Sequence, residues 1–560
     1  MVFFIGCIFL TALYPCQLVA SPWVNTDDRY LRTSIKLLAD AGYLNIPINT
    51  YPLMWQPILA ELAKVDRSQL TDSELLAFLR LTSAVNHART EHIKTLEISA
   101  ATDSFAPSGF ANNYAQRAKI KVGTEFKGNN WALGIVKSFN YKPFSWSDTY
   151  HFSADENEAI FTDYNPSHDW QGSYAAVTLG NWVLLATQQQ QWWGPGYDTS
   201  FNFSHNGPAA KKLRLNRLNS ALPFNDSLDF LGNANVSLEL GQQAGSALLR
   251  HHNFAAARIS IKPWSALEVA TSLTYHQALD NEVARRLNAI HQLGLANADK
   301  TASLSQSQLQ TIGTNIFFED RTAFFEDKST ALKEEYAATT ISQLDVRYSI
   351  TANTAVYAGV SLANGQSRRA AYANNRYTSS SNNLGNLSNK ATSRESNAGY
   401  LVGAEYNIAN VNHQLSLTAE LQKIADNYPH WLSQGGADAA LVPSEQLLIA
   451  VQGYQGNGQA SYIHFKQQSF AQQGIAKQSI AQEGIVKQRQ TLELGYQQPL
   501  FKGLISVDYQ LQRQQLLANG AANASANISA DTRTDANAGA SNINKTKYEH
   551  KVALRWEWRW

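Results

Sequence analysis

The chain has 560 residues, enough for one large barrel or several ordinary domains. Only 16% are charged and the formal net charge is +1, where soluble proteins usually carry ~25% charged residues, and nothing in this balance points to nucleic acid. Mean hydropathy is negative, and past the N-terminus there is no run of about 18 apolar residues, which excludes a bundle of membrane helices.

Residues 1–20 read as a signal peptide, with an apolar core ending at Ala20, although Met1 is followed directly by Val2 and Phe3 and the basic n-region is missing. The only two cysteines, Cys7 and Cys16, lie inside it. A mature chain without them has neither thiol chemistry nor a disulfide framework. Residues 21–92 then carry a helical period. Leu31, Ile35 and Leu38 share one face, and Gly42 stands where a helix C-cap belongs. A second helix is expected in TYPLMWQPILAELAKV, entered near Pro52 or Pro57. Thr71 and Glu74 form a capping box ahead of a third, which has Leu75, Leu79 and Val85 along one side. So small a bundle has little core and is expected to pack on something larger.

From residue 93 to 560 the period is 2. Leu344, Val346, Tyr348 and Ile350 alternate with Gln343, Asp345, Arg347 and Ser349. Leu415, Leu417, Ala419 and Leu421 alternate with Ser416, Thr418, Glu420 and Gln422. Alternation alone does not separate a soluble barrel from a membrane barrel turned inside out. The connections do. Short turns at 127–130, 180–181, 351–353, 409–412 and 499–503 take turns with long polar stretches at 141–171, 277–340, 363–396, 424–445 and 516–546. Short turns at one end and long loops at the other are the pattern of a transmembrane antiparallel β-barrel, here of about 16 to 18 strands. The helical bundle falls on the short-turn side, the periplasmic one, and the long loops are extracellular. Residues 469–478 and 479–488 form a ten-residue duplication, read as an extended hairpin. Phe317-Phe318-Glu319-Asp320 recurs as Phe324-Phe325-Glu326-Asp327, which fits either two turns of an amphipathic helix or a repeated loop. The chain ends in KYEHKVALRWEWRW, residues 547–560. Tyr548, His550, Val552, Leu554, Trp556, Trp558 and Trp560 form one row, and Lys547, Glu549, Lys551, Ala553, Arg555, Glu557 and Arg559 the other. An aromatic last residue after such a row resembles the insertion signal of outer-membrane barrels, and makes the insertion machinery a partner.

Three segments carry a family resemblance. The stretch WVNTDDRYLRTSIKLLADAGYLNIPINTYPLMW resembles the mature start of the capsule assembly Wzi family. The block QWWGPGY (191–197), followed by LRLNRL (213–218), resembles that family's central motif, and ISQLDVRYS (341–349) one of its barrel strands. The resemblance implies a barrel of about eighteen strands in the outer membrane of a Gram-negative bacterium, with a periplasmic helical bundle. It also implies a lectin-like role in holding capsular or other exported polysaccharide at the cell surface.

Sugar binding uses flat aromatic faces and planar polar groups, and acidic sugars add a need for Arg or Lys. Trp192, Trp193, Tyr197 and Asp198 supply the first two in one cluster, expected at the extracellular end of the strand that rises from Gly180-Asn181. The alternative for that cluster is a structural corner that closes the barrel or fills its lumen. Trp431 is a second candidate contact, and Arg368 with Arg369 a third. No GxSxG, HExxH, P-loop or CxxC motif is present. Neighbouring carboxylates such as Asp27-Asp28, and the pair His251-His252, point apart on a strand. No cofactor, metal or catalytic residue is therefore assigned. The expected function is attachment or assembly of surface polysaccharide by a protein that is not an enzyme. Its partners are the polysaccharide, the outer-membrane lipids and, through the helical bundle, polysaccharide export proteins. The rival reading is a porin-like or sugar-selective channel.

Overall fold

Alternation along each strand becomes a wall with an apolar outside. The computed structural model describes residues 22–90, 92–103, 109–111, 116–143, 168–204, 209–222, 226–243, 253–277, 339–364, 398–410, 412–425, 428, 444–469, 485–518 and 543–559. Among these, eighteen antiparallel strands close into one barrel that runs from His92–Ala101 to Ile543–Arg559. Closure comes from pairing the last strand with the first, Ala553 opposite Ala101 and Arg559 opposite Thr95. A further two-residue strand, His168–Asp169, pairs with Trp131–Pro143.

The faces are assigned as the alternation requires of a membrane barrel. Leu344, Tyr348 and Ile350 stand about half exposed on the outside, while Gln343, Asp345, Arg347 and Ser349 are buried inside. The same holds for Leu415, Leu417 and Leu421 against Ser416, Thr418, Glu420 and Gln422. In the last strand Tyr548, Val552 and Leu554 are exposed, Ala553 and Glu557 are buried, and Trp556 and Trp558 stack with ring centres 6.3 Å apart. An outer surface of this kind is stable only against hydrocarbon, so the barrel spans a membrane by its strands. Among the described residues no helix is long and apolar enough to do so.

Three helices precede the barrel: α1 (Arg29–Asp40), α2 (Trp55–Leu62) and α3 (Asp72–Ala88). Asp28 caps α1 by accepting from the Leu31 amide, and Gly42 follows its end with φ +85°. The Thr71/Glu74 capping box opens α3. Their shared core includes Ile35, Leu38, Ile58, Phe78, Leu81 and Val85.

The larger body against which this bundle packs is the inside of the barrel. Lys36 of α1 pairs with Glu405, and Asp40 pairs with Arg347, both partners being inward strand residues. Glu268 accepts from the amides of Ile48 at 3.0 Å and Asn49 at 3.1 Å. Lys262 donates to the carbonyl of Leu44 at 2.9 Å, and Arg258 to the Thr50 hydroxyl at 2.9 Å. The bundle thus seats in the lumen through charged groups that an open, hydrated channel would leave facing water. Burial first, and then the nearby Arg32, pull the Lys36 ammonium down to about 8, against the upward pull of Glu405.

The predicted signal peptide lies outside the described residues. So do the Phe-Phe-Glu-Asp repeat, His251-His252 and Trp560, and the duplication except its first residue, Ser469, and the strand that starts at Ile485.

Candidate functional site

After the strand Trp182–Thr187 the chain leaves the wall, crosses the lumen through residues 188–204, and resumes the wall at Lys211–Arg217. It therefore starts from the long-loop end, as expected, but folds inward rather than out. Trp192–Trp193 pairs antiparallel with Thr50–Tyr51, which makes a two-stranded ribbon inside the barrel. Successive strand residues point apart. Trp192 joins the helical core, with Phe110 edge-on at 5.7 Å, and Trp193 turns to the wall, with Phe203 edge-on at 4.7 Å and Phe254 behind it. Both indoles are 0% exposed.

The turn after them depends on its glycines. Gly194 has φ +144°, and a Cβ on Gly196 would sit 2.2 Å from the Thr199 carbonyl oxygen. The Gly196 carbonyl accepts from Trp192 Nε1 at 3.1 Å and from the Arg32 guanidinium at 2.9 Å. Arg32 lies 4.2 Å from the centre of the Phe110 ring.

Tyr197 and Asp198 meet the opposite wall. Glu420 accepts from the Tyr197 amide at 2.6 Å, the Asp198 amide at 3.3 Å and the Tyr357 hydroxyl at 2.9 Å. The Tyr197 hydroxyl lies 2.9 Å from His464 Nε2 and accepts from Gln452. Burial, only partly offset by Arg29 and Lys466, pushes this phenol up to about 12, so it stays a neutral hydrogen-bonding group. Asp198 pairs with Lys466 at 2.8 Å and accepts from Gln446 at 2.7 Å. His464 and Lys466 continue to Glu493, each at 3.3 Å. The structure thus brings the four clustered candidates together, buried, as the clasp between the helices and two walls. As they stand they face protein, and the alternative of a lumen-filling corner describes their surroundings. Trp431, Arg368 and Arg369 lie outside the described residues.

The sequence reading did not single out the partners of this clasp: Arg32, Glu420, Gln446, Lys466 and the pair Asp40–Arg347. Glu420 and Arg347 were legible as inward positions of alternating strands. Their partners, on elements far away in the chain, were not.

The family model described as capsule assembly protein Wzi matches residues 89–277, which contain the first barrel strands and the clasp segment. The match covers about a third of the chain. An uncharacterized 55.8 kDa protein in the cps region of Klebsiella pneumoniae is 23% identical over 249 residues, 44% of this chain and 45% of that protein, so the match spans less than half of either. A solved structure, the outer-membrane protein Wzi of Escherichia coli, described as a carbohydrate-binding β-barrel involved in group 1 capsule assembly, superposes with a TM-score of 0.62. It covers 97% of this chain and 99% of that one at 13% identity. At that identity the likeness is one of fold, and the fold is a Wzi-type barrel from the helices to the last strand.

Proposed function

We propose that this protein binds capsular or other exported polysaccharide at the cell surface and helps attach or assemble it there. In this reading the barrel sits in the outer membrane, with its short turns and helices toward the periplasm and its long loops outside. The observation that carries the reading is the occupied lumen. Helix α1 and the segment 188–204, through Tyr197 and Asp198, are bound to the inner wall on several sides, which leaves the long-loop end as the surface available for a large ligand. That same occupancy weighs against the channel reading. The Wzi-family match over residues 89–277 supports a role with polysaccharide, and no part of the reading calls for catalysis or a cofactor.

Contacts to sugar are assigned to the long-loop end, with Trp431, Arg368 and Arg369 as candidates. Trp192, Trp193, Tyr197 and Asp198 act from beneath by holding the clasp. The last strand serves the insertion machinery, and the helices offer export proteins a periplasmic face. A glycan array probed with the purified full chain, beside conductance in planar bilayers, tests this. Selective glycan binding with no large steady conductance is expected. A large conductance without glycan binding would replace the reading with the channel.

A further inference from the structure

Counted from the short-turn end, the outward face of the wall changes from apolar to polar at one level. On His413–Ile424 the exposed Leu415, Leu417 and Leu421 give way to Lys423, ten positions from His413. On Glu445–Gln455 the exposed Ile449 and Leu447 give way to Glu445, ten positions from Gln455, and Lys423 pairs with Glu445 at 2.8 Å. On Gly503–Ala518 the outward row Ile505, Val507, Tyr509 and Leu511 ends at Arg513, ten positions from Gly503. Outward charge is costly at the bilayer midplane and nearly free at the interface, so the polar surface begins at this level.

Three neighbouring strands continue beyond it. Ile485–Leu500 and Gly503–Ala518 have 16 residues each and Ile543–Arg559 has 17, whereas about 9–11 cross a bilayer. They stay paired to their upper ends, with Ile485 opposite Leu517 and Ile543 opposite Ala518. The five positions from Arg513 to Ala518 rise ~13 Å along the axis of a barrel whose strands tilt by ~40°. The long-loop end of this part of the wall is therefore a sheet that stands clear of the apolar band.

The outward face of this sheet carries two rows of polar side chains. Gln490, Arg513 and Tyr548 lie side by side in the lower row, and Gln488, Gln515 and Thr546 in the upper one. Strand and residue spacings make this a panel of about 7 by 10 Å. Tyr548 is 59% exposed. Arg513 Nη1 donates to Gln490 Oε1 at 3.4 Å. Among the described residues its Nε has no hydrogen-bond partner, and the side chains of Gln488, Gln515, Thr546 and Tyr548 make no hydrogen bond. The acids of the three strands, Glu493, Asp508, Glu549 and Glu557, all stand at inward positions. Lys423 is neutralised by Glu445, whereas Arg513 has an amide beside it and no carboxylate.

We propose that this panel is a contact surface for exported polysaccharide and that the sugars it takes bear carboxylates. Arg513 pairs with the carboxylate of one sugar. The amides of Gln488, Gln490 and Gln515 donate to and accept from ring hydroxyls. The Tyr548 ring packs on the apolar side of a pyranose. The inference rests on the reading that the protein binds polysaccharide, and it adds the chemical class of the polymer and the residues that meet it.

The test measures binding of the full chain in detergent to two probes. One is the polysaccharide extracted from the surface of cells that make this protein, and the other is the same polymer with its carboxylates reduced to primary alcohols. Wild type should bind the native polymer about tenfold more tightly, the worth of one charge-assisted pair. Arg513→Gln should abolish that preference, and Tyr548→Ala with Gln515→Ala should weaken both forms while keeping it. Closure of the variants is checked by heat-modifiable mobility. Lys423→Gln, an outward cation at the same level, should behave as wild type. Equal wild-type affinity for the two polymers would overturn the proposal and leave polysaccharide binding standing. So would an unchanged preference in Arg513→Gln, or an equal loss in Lys423→Gln. If Arg513→Gln instead shed co-purifying phosphorylated lipid and kept its polysaccharide affinity, the panel would belong to the membrane surface and the proposal would fall. Wild type that bound neither polymer would overturn the proposed function itself, and this inference with it.

Discussion

On Thr339–Thr351 the two faces of a single strand obey different rules. Outward, Leu344, Tyr348 and Ile350 stand exposed to hydrocarbon. Inward, Asp345 is bound by Arg258 at 2.9 Å, Gln343 donates to the Trp193 carbonyl, and Arg347 is held by Asp40 and Glu405. Lipid asks only that a side chain be apolar. The lumen asks each residue for a specific partner at a specific place, because burying a charge without one is expensive. The outer face should therefore tolerate exchange within a chemical class, and the inner face should not.

The largest test of this contrast is Arg347→Ala. It leaves Asp40 buried and Glu405 with one partner fewer, and should destabilise the barrel with its helices by ~3–5 kcal/mol, read as the midpoint of denaturant unfolding in detergent. Trp193→Ala removes the ring that Phe203 and Phe254 pack against. A loss of ~3–4 kcal/mol is expected by the same measurement, together with faster protease cleavage within residues 188–210. On the outer face, Leu273→Lys should cost ~2–4 kcal/mol, whereas Leu273→Val should stay within about 0.5 kcal/mol. If Leu273→Val cost as much as Trp193→Ala, the contrast between the faces would be lost. The smallest effect is a pH slope. Lys36 titrates near 8 in the folded protein against 10.5 for a free lysine. Between these values the unfolded chain binds more protons at this site, so its contribution to stability rises with pH. Lys36→Met should flatten unfolding midpoints measured from pH 8 to 10.5.

Much of the wall was legible in the chain. Period-2 alternation gave the strands and their outward rows, and alternating connection lengths gave the two ends, because both properties are local. Gly42 and the Thr71/Glu74 box marked helix ends for the same reason. What the lumen holds was not legible. Lys36 and Glu405 are 369 positions apart, and Tyr197 and His464 are 267 apart. Nothing near any of these residues announces its partner. The WWGPG block was visible as special. Its aromatic content fits a sugar platform and a buried clasp equally well, and only the pairing of Trp192–Trp193 with Thr50–Tyr51 tells them apart.

That small ribbon has a mechanical consequence. One of its strands belongs to a segment tethered to the barrel at both ends, at Thr187 and at Lys211. The helices cannot be withdrawn as a cork would be, since they are stitched to a loop that has no free end to follow them. Unstopping the barrel requires the seam between Thr50–Tyr51 and Trp192–Trp193 to be unpicked first, and brief excursions of the helices should leave the bore shut.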